Sequence, residues 1–487
     1  MKCNTSEYNK SKVYQGGSDP LDKFIRMGNR SLLVKGKSGT GKVTLCLELA
    51  KNCTDKFDVM FISRKITEQA LYNRFPWVSD FVKPNNILSI SSSDFTLDDP
   101  SFTITNIINS LSERSTRVED PFVGITEQKK PFVILDIWDI ITKEVENSTR
   151  IRAEKLLISL TDKHIGFIVF LTEETENPTI EYMIDGVVLL TQQYYKSYRL
   201  REMQIEKLRG IQISRAKVPF TLEGGRFKAF SRLMHHFGSD SNTFVPIPHN
   251  KEYYSTGNIE LDKRLNGGFR RGSVISVEIG DEVDRFIFVP FLAPLALNFI
   301  SQRNLALIVP AADQNVSNVV KYLAPHTNID NLTNFLRIFV NVGDDDNRPE
   351  SSIQPLLVSL DDNSSFQATY DKWVTTYRDL RKNGSGCLFS IDFSFVELEH
   401  QNEIQSILKS IVDISRLIRT SNDLLVMISR PRYRSLEIMK NISDIHLRIF
   451  EYDGATMLAA IKPQLFLTNI QTYYGRGFPN ALIQDST

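Results

Sequence analysis

Short apolar runs alternate with segments of helical spacing along the first half of this chain. Leu32–Val34, Phe57–Ser63, Ile87–Ile90, Pro131–Asp136 and Ile165–Leu171 read as strands, and Met183–Leu190 as another. Between them lie segments whose apolar positions recur near every third or fourth residue, as at Ile66, Leu71 and Phe75, or around Ile104–Leu111. A continuous apolar run suits a strand buried on both faces, and helical spacing suits a helix covering it. Strands dominate later, in Leu200–Gly210 and Thr221–Phe227. The pattern predicts an α/β fold with a mainly parallel sheet, finished by hairpins at one edge.

Pattern is missing in three places. The first 20 residues are polar and aperiodic, up to a short helix beginning at Pro20, and Ser115–Lys130 reads as a polar loop. Residues 232–253 lose periodicity and gather Gly, Ser, Asn and Pro, which marks a domain boundary. Beyond it the alternation starts again, with strands at Leu305–Val309, Phe335–Val340, Cys387–Asp392 and Leu424–Ser429 and a helix at Val316–Leu323. The expected organisation is a disordered N-terminus over 1–19, a first domain over 20–231, a linker over 232–253, a second domain over 254–475 and a tail over 476–487.

Length agrees with two domains, since 487 residues exceed what one core usually supports. Lysine plus arginine and aspartate plus glutamate both number 58, so the formal net charge is zero and argues against a surface built for non-specific nucleic-acid contact. No apolar run reaches membrane length and residues 1–32 lack a signal-peptide core, so a cytoplasmic protein without membrane contact is expected. Cys3, Cys46, Cys53 and Cys387 have no metal-type spacing and are expected as free thiols. The adjacent His235 and His236 lack neighbouring ligands and read as a solvated helix end.

The stretch with chemistry follows Leu32–Val34. Gly36, Lys37, Ser38, Gly39, Thr40, Gly41 and Lys42 form a GxxxxGK loop between a strand and a helix. Glycines let the backbone curl so that amide N–H groups and a helix N-terminus point at a phosphate, and Lys42 adds a positive charge. The loop departs from its type at Val43, where a Ser or Thr hydroxyl would ligate Mg²⁺. Thr44 comes one residue late, turned by roughly 100° on a helix, so only weak metal binding is expected. Asp136 ends an apolar strand expected beside the loop, where it would hold the metal's water shell; Asp139 is the alternative helix cap.

The order of this loop, the strand ending in Asp136, IDGVVLL and EKLRG resembles the RecA superfamily, in particular its KaiC-like branch. FISRKITEQALYNRFPW, LDIWDI and KLRGIQISRAKVPFTLEGGRF resemble the archaeal gas-vesicle regulators of the GvpD type. The resemblance covers residues 20–230 and implies an ATP-binding RecA-like core. It also implies that Lys207 and Arg209, which match a Lys-x-Arg motif, reach the triphosphate of a neighbouring subunit; from the residues alone they read as an exposed edge-strand pair. KaiC-like ATPases carry adjacent glutamates at the end of the second strand to activate water, and here that place reads Ser63-Arg64, with Glu68 inside the next helix. Losing that base and the metal's hydroxyl together should slow hydrolysis, since positioned acid–base groups contribute roughly 10²–10⁴-fold. Glu173 or Glu174 would be the substitute base.

The second half resembles the KaiC-type entry at Ser255–Phe269, but its loop is degenerate. Arg285 stands where glycine belongs and Phe286 where lysine belongs, so no triphosphate is expected there, and Asp392, the counterpart of Asp136, has no loop to serve. Arg430, Arg432 and Arg434 make a small basic knot. The expected function is ATP binding with impaired hydrolysis, in a transcription or signalling regulator acting on a protein partner or a second copy of itself. The alternative is an active ring- or filament-forming ATPase, and DNA strand exchange is the weakest reading.

Overall fold

A computed structural model describes residues 20–485 except 65, 90–104, 106, 110, 112–128, 137, 143–144, 164, 174–177, 196–197, 231–242, 285–286, 288–290, 312–315, 342–353, 362–363, 383–385, 464–465 and 476–477. The chain divides into two compact units, the first ending at Ser231 and the second running from Arg232 to Asp485. Each is built around one large, mainly parallel sheet, the α/β plan expected of two tandem RecA-like domains.

The first unit contains β1 (Arg30–Lys35), β2 (Phe57–Ser63), β3 (Ile87–Ser89), β4 (Lys130–Asp136), β5 (Phe167–Thr172), β6 (Gly186–Tyr195), β7 (Tyr198–Leu208), β8 (Lys217–Thr221) and β9 (Lys228–Ala229). Their spatial order is β3-β2-β4-β5-β1-β6-β7-β8-β9. The strands from β3 through β6 run parallel, and β6 to β9 turn back as antiparallel hairpins. Central strands are apolar on both faces because both are covered. Phe132 and Phe167 stack at 5.1 Å on one face, while Trp138 meets Phe170 edge-on at 5.4 Å on the other.

One strand expectation changes. The strand expected from Met183 starts at Gly186, because residues Pro178–Met183 form a helix. β5 lies between β1 and β4, the strand that ends in Asp136. Of the segment 104–111, Ile107 and Leu111 are buried in the core. His235, His236 and Cys3 lie outside the described residues, while Cys46, Cys53 and Cys387 are buried free thiols.

The second unit opens with β10 (Tyr253–Tyr254) and β11 (Phe269–Arg270), which pair with each other. Its large sheet contains β12 (Val274–Ile279), β13 (Leu305–Val309), β14 (Leu336–Asn341), β15 (Leu357–Leu360), β16 (Cys387–Asp392), β17 (Leu424–Ser429), β18 (Ile445–Tyr452), β19 (Ala455–Lys462), β20 (Phe466–Gly475) and β21 (Phe478–Asp485). The order is β15-β14-β13-β16-β17-β12-β18-β19-β20-β21, the plan of the first unit with a longer hairpin edge. The segment expected as a tail is β21, paired with β20. The described part of the expected linker packs on this unit: the Phe244 amide donates to the His326 carbonyl and the Ile247 amide to Asn298 Oδ1.

A buried ion cluster ties β12 to β18. Glu278 lies 3.0 Å from Lys440 Nζ, 3.1 Å from Arg448 Nε and 3.5 Å from His446 Nε2. Burial alone would raise the Glu278 carboxyl, but its neighbours outweigh it and hold it at about 2, against 4.5 for a free glutamate. Ionised Glu278 therefore contributes stability that is fully present above 4.5 and lost as pH falls toward 2. We expect Glu278→Gln to remove about 3 kcal/mol at neutral pH and to flatten the acid limb of unfolding, read by denaturant titration at several pH values.

Candidate functional site

The cradle forms at the C-terminal end of β1. Gly36, Gly39 and Gly41 have φ of 152°, 79° and 99°, a region costly for residues with a β-carbon. At Gly36 the need is also spatial, because a Cβ would stand 2.5 Å from the Leu190 carbonyl oxygen and 2.8 Å from Thr40 Oγ1. At Gly39 a Cβ would meet nothing within 4 Å, so the loop's open side is clear. The helix Lys42–Asn52 starts at Gly41 with no side-chain cap, leaving its first amides to an incoming anion.

Lys42 is 7% exposed, and its ammonium donates to the carbonyls of Gly36 at 2.5 Å and Lys37 at 3.1 Å. Thr40 Oγ1 donates to the Lys37 carbonyl at 2.8 Å, and the Gly36 amide donates to the Thr172 carbonyl at the end of β5. Burial pushes Lys42 below the usual lysine range, opposed by the charges of Glu173, Asp139 and Asp136 in that order. A desolvated cation held by neutral carbonyls is one that a phosphate oxygen would stabilise.

Asp136 is 2% exposed and accepts a hydrogen bond from Ser63 Oγ at 2.7 Å, across the register that sets Ser63 opposite Asp136. Ser63 Oγ also accepts from the Ile66 amide at 3.1 Å. The position at the end of β2 is thus filled by a buried hydroxyl that holds Asp136 and the turn after β2. It supplies no base.

Asp139 does not act simply as a helix cap. Its Oδ2 accepts from the Glu173 amide at 2.9 Å, and its Oδ1 is buried without a partner. From the sequence Asp139 reads as a possible helix cap, because a carboxylate three residues past a strand carries no signal of what it faces. Glu174 lies outside the described residues.

The donor set agrees with a phosphate-bridged divalent metal. Among the described residues no group of three or more His, Cys, Asp or Glu side chains could hold a metal ion. Asp136 and the orphaned Asp139 oxygen match the one or two carboxylates with which Mg²⁺ is usually held when phosphates complete its shell. Val43 packs against the core instead of offering a hydroxyl, and Thr44 is buried one residue further along the helix.

Lys207 and Arg209 stand at the other end of the sheet from the cradle. Leu208 pairs with Gly186 and Gly186 with Leu32, at the start of β1, whereas the cradle follows its end. Lys207 is on β7 and Arg209 just past its end, while β8 pairs with β7 only at Arg201–Gln204. Lys207 Nζ donates to the Glu181 carbonyl at 2.7 Å and is pushed down by burial and then by Arg209. Arg209 bonds Asp185 at 3.2 Å and the Tyr182 carbonyl at 2.9 Å.

In the second unit Arg285 and Phe286 lie outside the described residues. Asp392 caps the following helix, accepting from the amides of Ser394 and Phe395 at 2.9 and 3.3 Å, and burial raises its carboxyl to about 6. The basic knot is not one cluster. Arg430 turns inward, where its Nη1 donates to the Gly280 carbonyl at 3.1 Å; Arg432 lies over the Tyr433 ring; the Arg434 amide donates to Glu397.

Residues 21–206 match the family described as GvpD gas vesicle protein, P-loop domain, a span that holds the cradle and Asp136 and stops one residue before Lys207. Protein GvpD2 of Halobacterium salinarum is 22% identical over 442 residues, covering 88% of this chain and 87% of that protein. Protein GvpD1 of the same organism is 25% identical over 299 residues, 59% of this chain and 54% of the relative. The circadian clock oscillator protein KaiC of Synechococcus elongatus is 24% identical over 261 residues, 50% of this chain and 47% of its own.

Proposed function

From the premise that this chain is a KaiC-like P-loop protein with a GvpD-type nucleotide domain, we propose that it is a regulatory nucleotide-binding protein that holds ATP and hydrolyses it weakly. The observation that carries the reading is Ser63, a buried hydroxyl bonded to Asp136 where a water-activating glutamate would stand. In this reading the amides of Gly36–Thr44 and the Lys42 ammonium grip the phosphates. Asp136, Asp139 and Thr44 would hold a divalent metal, which would screen phosphate charge. Bound nucleotide orders the cradle and changes what the domain presents to a protein partner in the cytoplasm, and the gas-vesicle description of the matching family supports a partner from that system. The second unit keeps the fold without the chemistry.

Calorimetry with ATP, with and without Mg²⁺, together with single-turnover hydrolysis, tests this reading. We expect one cradle event per chain and turnover at least 100-fold below that of an enzyme with a positioned base. Rapid hydrolysis that disappears in Lys42→Ala would reject it.

A second reading, an active ring- or filament-forming ATPase, draws on two observations. Glu173 is the foremost opposing charge acting on Lys42, and Lys207 and Arg209 stand at the sheet end away from their own cradle, so they could serve only a neighbour's nucleotide. A protein that stays monomeric at micromolar concentration with ATP present excludes it.

A further inference from the structure

The two ends of the second unit's sheet differ in what they leave open. Where the first unit has its cradle, the second is filled by its own side chains. Arg430 donates to the Gly280 carbonyl, and the Glu282 carboxylate occupies the space beside Gly280, 2.4 Å from where a Cβ would lie, while accepting from the Glu451 amide at 3.2 Å. The cavity that remains there, lined by Ile279, Phe291 and Asp392 among others, is about 40 Å³. That is far below the size of a nucleotide pocket.

At the opposite end, where the chain enters β12 and β18 and leaves β19, lies a cleft of about 390 Å³. Four cationic side chains line it, Arg270, Arg271, Arg419 and Lys462, against one carboxylate, Asp444. Asp444 is already committed, to the Val274 amide at 2.8 Å and to Arg419 Nη1 at 2.8 Å. The other three have no ion-pair partner among the described residues. Arg271 spends Nε on the Asn250 carbonyl and lays its guanidinium 4.1 Å from the Tyr254 ring centre; Lys462 Nζ donates to the Lys440 carbonyl. Arg270 is exposed on β11.

Like charges gathered in a concave site repel one another and raise the local concentration of anions. Guanidinium groups that keep free N–H donors bind phosphate in a forked geometry. We propose that this cleft is a second anion site, distinct from the cradle, that takes a multiply charged phosphate chain, either the triphosphate of a nucleotide or a free polyphosphate. The chain would lie across Arg270, Arg271 and Lys462, with Arg419 held in place by Asp444. Its location on the chemically silent unit gives that unit a binding role of its own.

The test uses the full chain carrying Lys42→Met, which weakens the cradle, titrated calorimetrically with tripolyphosphate, ATP and citrate at low and moderate NaCl. The expected result is one remaining site per chain for tripolyphosphate, at least tenfold weaker with added salt and at least tenfold weaker again in Arg270→Gln/Lys462→Gln. ATP binding tighter than tripolyphosphate identifies the nucleotide as the ligand, and equal binding identifies the phosphate chain alone; both sustain the proposal. No heat, binding unchanged by the double variant, or citrate binding as well as tripolyphosphate overturns it. If the double variant unfolds, Arg270→Glu, on an exposed side chain, carries the same comparison. A Lys42→Met protein that keeps the cradle event would count against the proposed function alone, because the cleft variants read only the cleft.

Discussion

Lys42→Met is expected to weaken ATP binding about 10- to 100-fold while leaving the nucleotide-free protein as stable as before or more so. The two halves of that expectation have one cause. In the free protein the ammonium is buried, its hydrogen bonds among the described residues go to the carbonyls of Gly36 and Lys37, and burial pushes its pKa down. A lysine whose folded pKa lies below its unfolded value costs stability wherever it is charged, and the cost vanishes only as pH rises past the unfolded pKa. Replacing it with an apolar chain of similar length removes the cost along with the charge that phosphate needs. Calorimetry reads the affinity, and thermal unfolding with and without ATP reads the rest. The variant should lose the ATP-induced rise in Tm without a lower starting Tm. A sharp fall in the nucleotide-free Tm would mean that Lys42 is a structural strut instead.

Gly257→Ala is expected to destabilise the second unit by more than about 3 kcal/mol and to leave ATP affinity unchanged. Gly257 has φ of 77°, and an added Cβ would stand 2.4 Å from the Pro294 carbonyl oxygen and 2.8 Å from its carbon, backbone atoms that cannot swing aside. The turn around it is already bound tightly. Asp262 accepts from the Thr256 amide and Thr256 Oγ1, both at 2.7 Å, and from Ser255 Oγ. Strain therefore has no local outlet and falls on the contact with the helix Ala293–Ser301, which carries Pro294 and Asn298. Denaturant unfolding should show one transition moving and one staying, with the cradle's affinity following the transition that stays. Movement of both would mean that the two units unfold as one.

The cradle was legible because its chemistry is local. Gly36, Gly39, Gly41 and Lys42 carry it within seven residues, and their positive φ angles and buried ammonium are what that spacing demands. The strands of the second half were legible for a similar reason, since periodicity is read within a window of ten or so residues. The C-terminal segment was not. Phe478–Asp485 earns its place in the sheet only by pairing with Phe466–Gly475, and nothing within the segment itself announces a partner. Asp139 and Arg430 were misjudged in the same way: each was assigned from its neighbours in sequence, yet one meets the Glu173 amide and the other the Gly280 carbonyl.

By itself the sequence determined a P-loop between a strand and a helix, an α/β plan repeated twice, and the absence of a glutamate after Phe57–Ser63. The tertiary structure decided that β5 stands between the loop strand and Asp136, that Ser63 fills the vacant place by bonding Asp136, and that Lys207 and Arg209 lie at the end of the sheet away from their own cradle. Strand order in a parallel sheet is set by crossover connections spanning tens of residues, and which side chains meet follows from that order. Local periodicity carries neither.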